Sequence, residues 1–180
     1  VIAIIGCCVT PVLLLSSYNY MPSSVATVFH FIYPAVVVLI GILFLKQKAN
    51  FKTIFCVALC VFGLCLFYTP GEPIDIRGVL LSIISGITCA IYICFLSIFK
   101  YKEIPLFLFT FYVIVISSIT LFFFCIFTNT LTLPTNLLSW LLCILFANLI
   151  TAGAVALLQA GTFIIGGERA SILSTLEPIT

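Results

Sequence analysis

Charge is what this chain has least of. Asp, Glu, Lys and Arg make up 7% of the 180 residues, against 64% hydrophobic residues. So little charge cannot hydrate the surface of a soluble protein. Histidine is scarcer still: His30 is the only one, and the carboxylates number five. That inventory is thin for general acid–base chemistry. Gly-x-Ser-Gly, His-Glu-x-x-His and an acidic cluster able to hold metal-diphosphate are all missing, so an enzyme is not expected. The nine cysteines include no Cys-x-x-Cys pair, and all lie within apolar stretches. They read as small hydrophobes rather than metal or redox ligands, so no metal and no cofactor is expected. A net charge of +2, spread along the chain, speaks against a nucleic-acid partner.

What is abundant is uninterrupted apolar sequence. Long stretches, A to G, run over residues 1–18, 23–45, 53–69, 78–99, 106–128, 137–160 and 170–180. A bilayer core of about 30 Å needs about 20 apolar residues as helix. B, D, E and F are long enough to cross alone, C is at the short end, and A and G are cut by the chain ends. Continuous runs argue for helices, since barrel strands alternate polar and apolar residues. The expected fold is all-α: a polytopic membrane helix bundle with the bilayer as its surroundings. Val1 is not an initiator Met, and G stops eleven residues in. The chain therefore reads as a fragment truncated at both ends.

The few charges orient it. Lys46, Lys48 and Lys52 lie between B and C, Lys100 and Lys102 between D and E, and Arg169 between F and G. The alternate connections hold only Arg77. Basic connections face the cytoplasm, so the start of B is expected outside and the start of G inside. All the connections are short, and none can hold a soluble domain. Pro70-Gly71-Glu72-Pro73-Ile74-Asp75 is the strongest breaker cluster and the expected boundary between two halves, residues 1–69 and 78–180.

Two segments resemble one another at a constant offset of 144 residues. Ser24 to Pro34 reads against Glu168 to Pro178, with Ala26 matching Ala170, Thr27 matching Ser171 and Pro34 matching Pro178. G lies five helices after B, an odd number, so the second copy would cross in the opposite direction. Inverted repeats of this kind are common in secondary transporters, whose substrate sites lie near the midplane between them.

Several residues are candidates to carry chemistry. Glu177 is the only formally charged residue inside an apolar stretch. Entering near Ala170, a helix would take it roughly 10 Å deep at its usual rise. A carboxylate there costs at least about 2.5 kcal/mol, which a cavity, a partner or protonation relieves. It is a candidate proton carrier or counter-charge; the plainer reading is a neutral carboxyl bonded to a neighbouring helix. His30 sits at similar depth, one turn before Pro34; it is a candidate to titrate or hydrogen-bond a ligand, and the plainer reading, favoured for a lone histidine, is an interhelical hydrogen bond within the bundle. Tyr33 occupies the repeat position of Glu177. Pro34 and Pro178 each remove a backbone donor and are candidate bend points. Asn148 and Gln159 are candidates to line a polar cavity, although interhelical bonding explains them equally well. Small residues at every fourth position, Ser82, Gly86, Ala90 and Cys94 on D and Ala152, Ala156 and Ala160 on F, mark packing faces.

Ala26 to Pro34, followed by the apolar run Val36 to Leu45, then Phe55 to Phe67 with Gly63, and then Glu168 to Pro178 with its Leu176-Glu177-Pro178, together resemble the EamA type of the drug/metabolite transporter superfamily. The resemblance implies two inverted five-helix repeats, with A as the third helix, B and C the fourth and fifth, D to F the sixth to eighth, and G the opening of the ninth. It implies a secondary transporter that exports or exchanges a small metabolite or drug-like solute by alternating access across the cytoplasmic membrane. Proton coupling and a homodimer are compatible with it. Where the family ends its fourth helix in Gly-Glu, this chain has Lys46-Gln47. Two other classes compete. A lipid-modifying membrane enzyme would need titratable groups converging on one membrane face, and a non-transporting scaffold would have its polar span residues paired with no wet cavity.

Overall fold

The computed structural model describes residues 2–44, 75–98 and 105–174, together with 51, 54, 55, 57–59 and 62. Most of stretch C lies outside the described residues, as do Lys46, Lys48, Lys52, Lys100, Lys102, Glu177 and Pro178. What is described is helical, without strands, and four of its helices are long and apolar enough to cross a membrane. The protein is an all-α, multi-pass membrane bundle.

Stretch A forms α1 (Ile2–Ser17), with a π-turn over Ile5–Val9. Pro11 follows that turn and has no N–H to give to the preceding one, which accounts for the widened register. Stretch B forms two helices, α2 (Ser23–His30) and α3 (Tyr33–Leu43). The break at Phe31 and Ile32 comes just before Pro34. Proline removes the bond that His30's carbonyl would accept in an unbroken helix. Stretch D forms α4 (Ile76–Ile98) and E forms α5 (Leu106–Phe127). Asp75 caps α4, its carboxylate accepting the Arg77 N–H at 2.9 Å.

Stretch F is longer than its composition indicates. The helix α6 spans Leu137–Ile165, with a π-turn over Ala147–Gly153. Stretch G begins earlier than expected, as α7 (Gly167–Ser174). The expected F–G connection around Arg169 shrinks to Gly166, and Arg169 lies within α7. Gly166 makes this possible at φ 87° and ψ 157°, a conformation essentially confined to glycine. Polar Gly-Gly-Glu-Arg looks like a loop in sequence, yet it starts a helix immediately after the reversal.

The core is organised by α4, which packs against α1, α2, α3, α6 and α7. Its small-residue stripe is the reason. Ser82, Gly86, Ala90 and Cys94 are all buried, and they let neighbouring backbones come close. Gly86 is the tightest point: a Cβ there would stand 2.7 Å from the His30 carbonyl oxygen. The stripe thus receives the broken part of stretch B.

Contacts along α4 also give the chain directions. Gly78 near its start lies against Tyr20 and Met21, while Ser97 at its end accepts a hydrogen bond from the Gly167 N–H at 3.4 Å. Gly86 meets His30, and Cys94 meets the Val37 carbonyl, so α2 and α3 run alongside α4 in its own direction. Ser85 bonds Thr10, and the Tyr92 ring lies over Gly6, so α1 runs against it. Gln159 bonds Tyr92, and α6 then reaches the Ser97 end. There α7 starts, and it packs against α3, α4 and α6. By contrast, the outer faces of α5 and α6 are strongly apolar and exposed, including Phe107, Phe122, Phe127, Leu138 and Leu141, as acyl chains require.

Candidate functional site

A hollow of about 730 Å³ lies where α1, α2, α3, α4, α6 and α7 meet. Leu14 faces it from α1 and Tyr18 from just past that helix's end, Thr27 and His30 from α2, and Tyr33 from the start of α3. Cys89 and Ile93 contribute from α4, Leu158 and Gly161 from α6, and Ala170, Leu173 and Ser174 from α7. The wall is mainly apolar, with hydroxyls and one imidazole set into it. This is the usual composition of a site for a small organic molecule: apolar contact for affinity, a few polar groups for orientation.

The local sequence explains how the polar groups come to face inward. His30 is the last residue of α2 and Tyr33 the first of α3, so the break presents both, with Phe31 between them. The His30 and Tyr33 ring centroids are 5.6 Å apart, as are those of Phe31 and Tyr33. Tyr33 and Phe31 are buried, whereas His30 is only partly covered. Pro34, buried at the head of α3, sits at the bend but does not border the hollow.

Behind His30 runs a polar contact network that ties three helices together. His30 Nδ1 is 3.0 Å from Ser85 Oγ. Ser85 Oγ donates to the Thr10 carbonyl at 2.8 Å. Thr10 Oγ1 donates to the Ile5 carbonyl at 3.0 Å, which the π-turn presents, and lies 2.9 Å from Thr88 Oγ1. Ser85 and Thr10 were not singled out by sequence. They resemble ordinary small polar residues of a packing face, and only the fold brings them to His30.

Gln159 stands next to the hollow rather than in its wall. It is fully buried, its Nε2 donating to the Tyr92 hydroxyl at 3.0 Å and its Oε1 accepting from Thr110 Oγ1 at 2.5 Å. It joins α4, α5 and α6, which is the interhelical bonding expected as the alternative to a cavity. Asn148 is on the exposed side of α6, its Nδ2 donating to the Ile144 carbonyl at 2.8 Å. Eleven residues are close to three α-helical turns, so Asn148 and Gln159 would share a face on a regular helix. The π-turn over Ala147–Gly153, which contains Asn148, widens the register and turns Asn148 away. Glu177 and Pro178 lie outside the described residues.

Ser174 is the lining residue whose signal was present in the sequence. It stands 144 residues after His30, at the matching position of the resembling segments, and borders the same hollow. No group of three or more His, Cys, Asp or Glu side chains comes together among the described residues. Residues 1–69 match the model of the EamA-like transporter family, over stretches A, B and C. A comparison with curated proteins gives no match.

Proposed function

From the match of residues 1–69 to the EamA-like transporter family, we propose that the chain is part of a secondary transporter. In this reading it exports or exchanges a small metabolite or drug-like solute by alternating access across the cytoplasmic membrane. A transporter role, a small-molecule substrate and a lipid bilayer are what the match to that family supports. The finer reading rests on one observation: a single hollow is lined by both His30 and Ser174, which occupy equivalent positions in the two resembling segments.

Residues 1–69 and 78–180 would be parts of two repeats, related by inversion, with the lysine-bearing connections on the cytoplasmic side. The contacts that run α2 alongside α4, and the reversal at Gly166 just before α7, support that relation. Three interruptions in the surrounding helices support movement around the hollow: the π-turns in α1 and α6 and the break between α2 and α3. Such breaks provide places where a helix bends without losing a long ladder of hydrogen bonds. His30 and Tyr33 would contact the solute, Pro34 and Pro178 would fix the bends, and Glu177 would carry the coupling proton.

The test is uptake of labelled metabolites into proteoliposomes containing the full-length protein, under imposed pH gradients. Solute movement that follows the gradient, and loses its pH dependence in Glu177→Gln, is the expected result. Unchanged pH dependence in that variant would remove Glu177 from the coupling role, and no transport of any solute would remove the reading itself.

A further inference from the structure

The hydrogen bonds around His30 determine which of its ring nitrogens faces a ligand. A serine hydroxyl carries one proton, and Ser85 Oγ gives its proton to the Thr10 carbonyl at 2.8 Å. This contact and the 3.0 Å contact with His30 Nδ1 are both hydrogen bonds only if the serine oxygen accepts from the ring. The imidazole must then donate, so Nδ1 carries the hydrogen. A neutral imidazole protonated on Nδ1 has its lone pair on Nε2. Nε2 has no hydrogen-bond partner among the described residues, and His30 lines the hollow.

The surroundings define the rest of the ligand. Phe31 and Tyr33 lie beside the imidazole at ring-centroid separations of 6.0 and 5.6 Å. Leu14, Ile93 and Leu158 complete an apolar wall. A solute that satisfies both features has a flat apolar or aromatic body and one N–H or O–H directed at the imidazole. We propose that the hollow selects such hydrogen-bond-donor solutes, with His30 Nε2 as the acceptor and Ser85 as the positioning residue that holds the Nδ1–H tautomer. This rests on the transport reading for its biological sense, but the chemistry is testable without it.

His30 is the only histidine among the 180 residues, which permits a direct experiment. The full-length protein is labelled with ¹⁵N-histidine, placed in lipid nanodiscs and observed by ¹⁵N NMR, with His30→Gln identifying the resonances. Hydrogen on Nδ1 and an unprotonated Nε2 are expected, and Ser85→Ala shifts the population toward the Nε2–H form. Ser85→Thr, which keeps a hydroxyl, retains the parent tautomer and guards against misfolding of the alanine variant. Indole and 1-methylindole are then titrated as probes, alike in ring system but differing in the N–H. Indole is expected to move the Nε2 resonance saturably, with 1-methylindole at least about fivefold weaker, as loss of one hydrogen bond predicts. An Nε2–H parent, or equal responses to the two indoles, overturns the inference. Neither result touches proteoliposome transport, so failure here is distinguishable from failure of the proposed function.

Discussion

Substituting Gly86 with alanine adds a single methyl group where stretch B crosses α4. The new Cβ would stand 2.7 Å from the His30 carbonyl oxygen and 3.1 Å from Ile32 Cγ2. The first of these neighbours is backbone and cannot rotate away, so α2 and α3 must withdraw from α4. The withdrawal stretches the 3.0 Å contact between His30 and Ser85 and loosens the buried cluster of Phe31, Tyr33, Val37 and Ala90. Overpacking of this kind costs about 1–3 kcal/mol, more than the helix-propensity gain of up to about 1 kcal/mol on replacing glycine. Gly161 supplies the control, because a Cβ there meets nothing within 4 Å. Thermal unfolding in nanodiscs should show Gly86→Ala melting well below the parent and Gly161→Ala at or above it. Equal melting temperatures for the two variants would refute the close crossing on which the position of His30 depends.

Gly166→Ala forces φ 87° and ψ 157° on a residue with a Cβ, a cost of roughly 1–3 kcal/mol. It should reduce the folded fraction in size-exclusion chromatography even though the surrounding space is open; a parent-like profile would contradict the tight reversal between α6 and α7. Gln159→Leu removes the bonds to Tyr92 and Thr110 and should destabilise by about 0.5–1.5 kcal/mol, measured by denaturant titration in detergent micelles. No change would mean that the buried amide does not tie α4, α5 and α6.

Those features differ in how far they could be read from sequence. The stripe on α4 was legible because small residues at every fourth position leave one helix face bare, whatever packs there. The break in stretch B was legible from Pro34, since a missing N–H interrupts a helix regardless of context. Gln159 was recognisable as a polar group in a span, but its partners Tyr92 and Thr110 lie 67 and 49 residues away, and only packing selects them. The π-turn over Ala147–Gly153 has no proline to announce it, and Asn148, a candidate to line a polar cavity by its type alone, lies on the exposed side of α6. The single-residue link at Gly166 was hidden by the polar Gly-Gly-Glu-Arg sequence. Of the hollow, His30 is legible from its place one turn before Pro34 and Tyr33 from matching Glu177 in the resembling segments. Ser174 stood unremarked in the matching segment, and Ser85 depended entirely on a contact spanning 55 residues.

Whether the hollow between α2 and α7 holds water within the membrane is the measurement that bears most directly on this account. Trp140 is the only tryptophan among the 180 residues, so Trp140→Phe, with any tryptophan outside them also replaced, gives a dark background for a probe placed elsewhere. Gly161→Trp puts an indole where the hollow is open, and Leu141→Trp puts one on the exposed outer face of the same helix. Fluorescence from position 161 should be quenched by aqueous acrylamide and spared by brominated lipid, with the opposite pattern at position 141. Quenching of both positions by brominated lipid alone would contradict a hydrated hollow shared by the two segments.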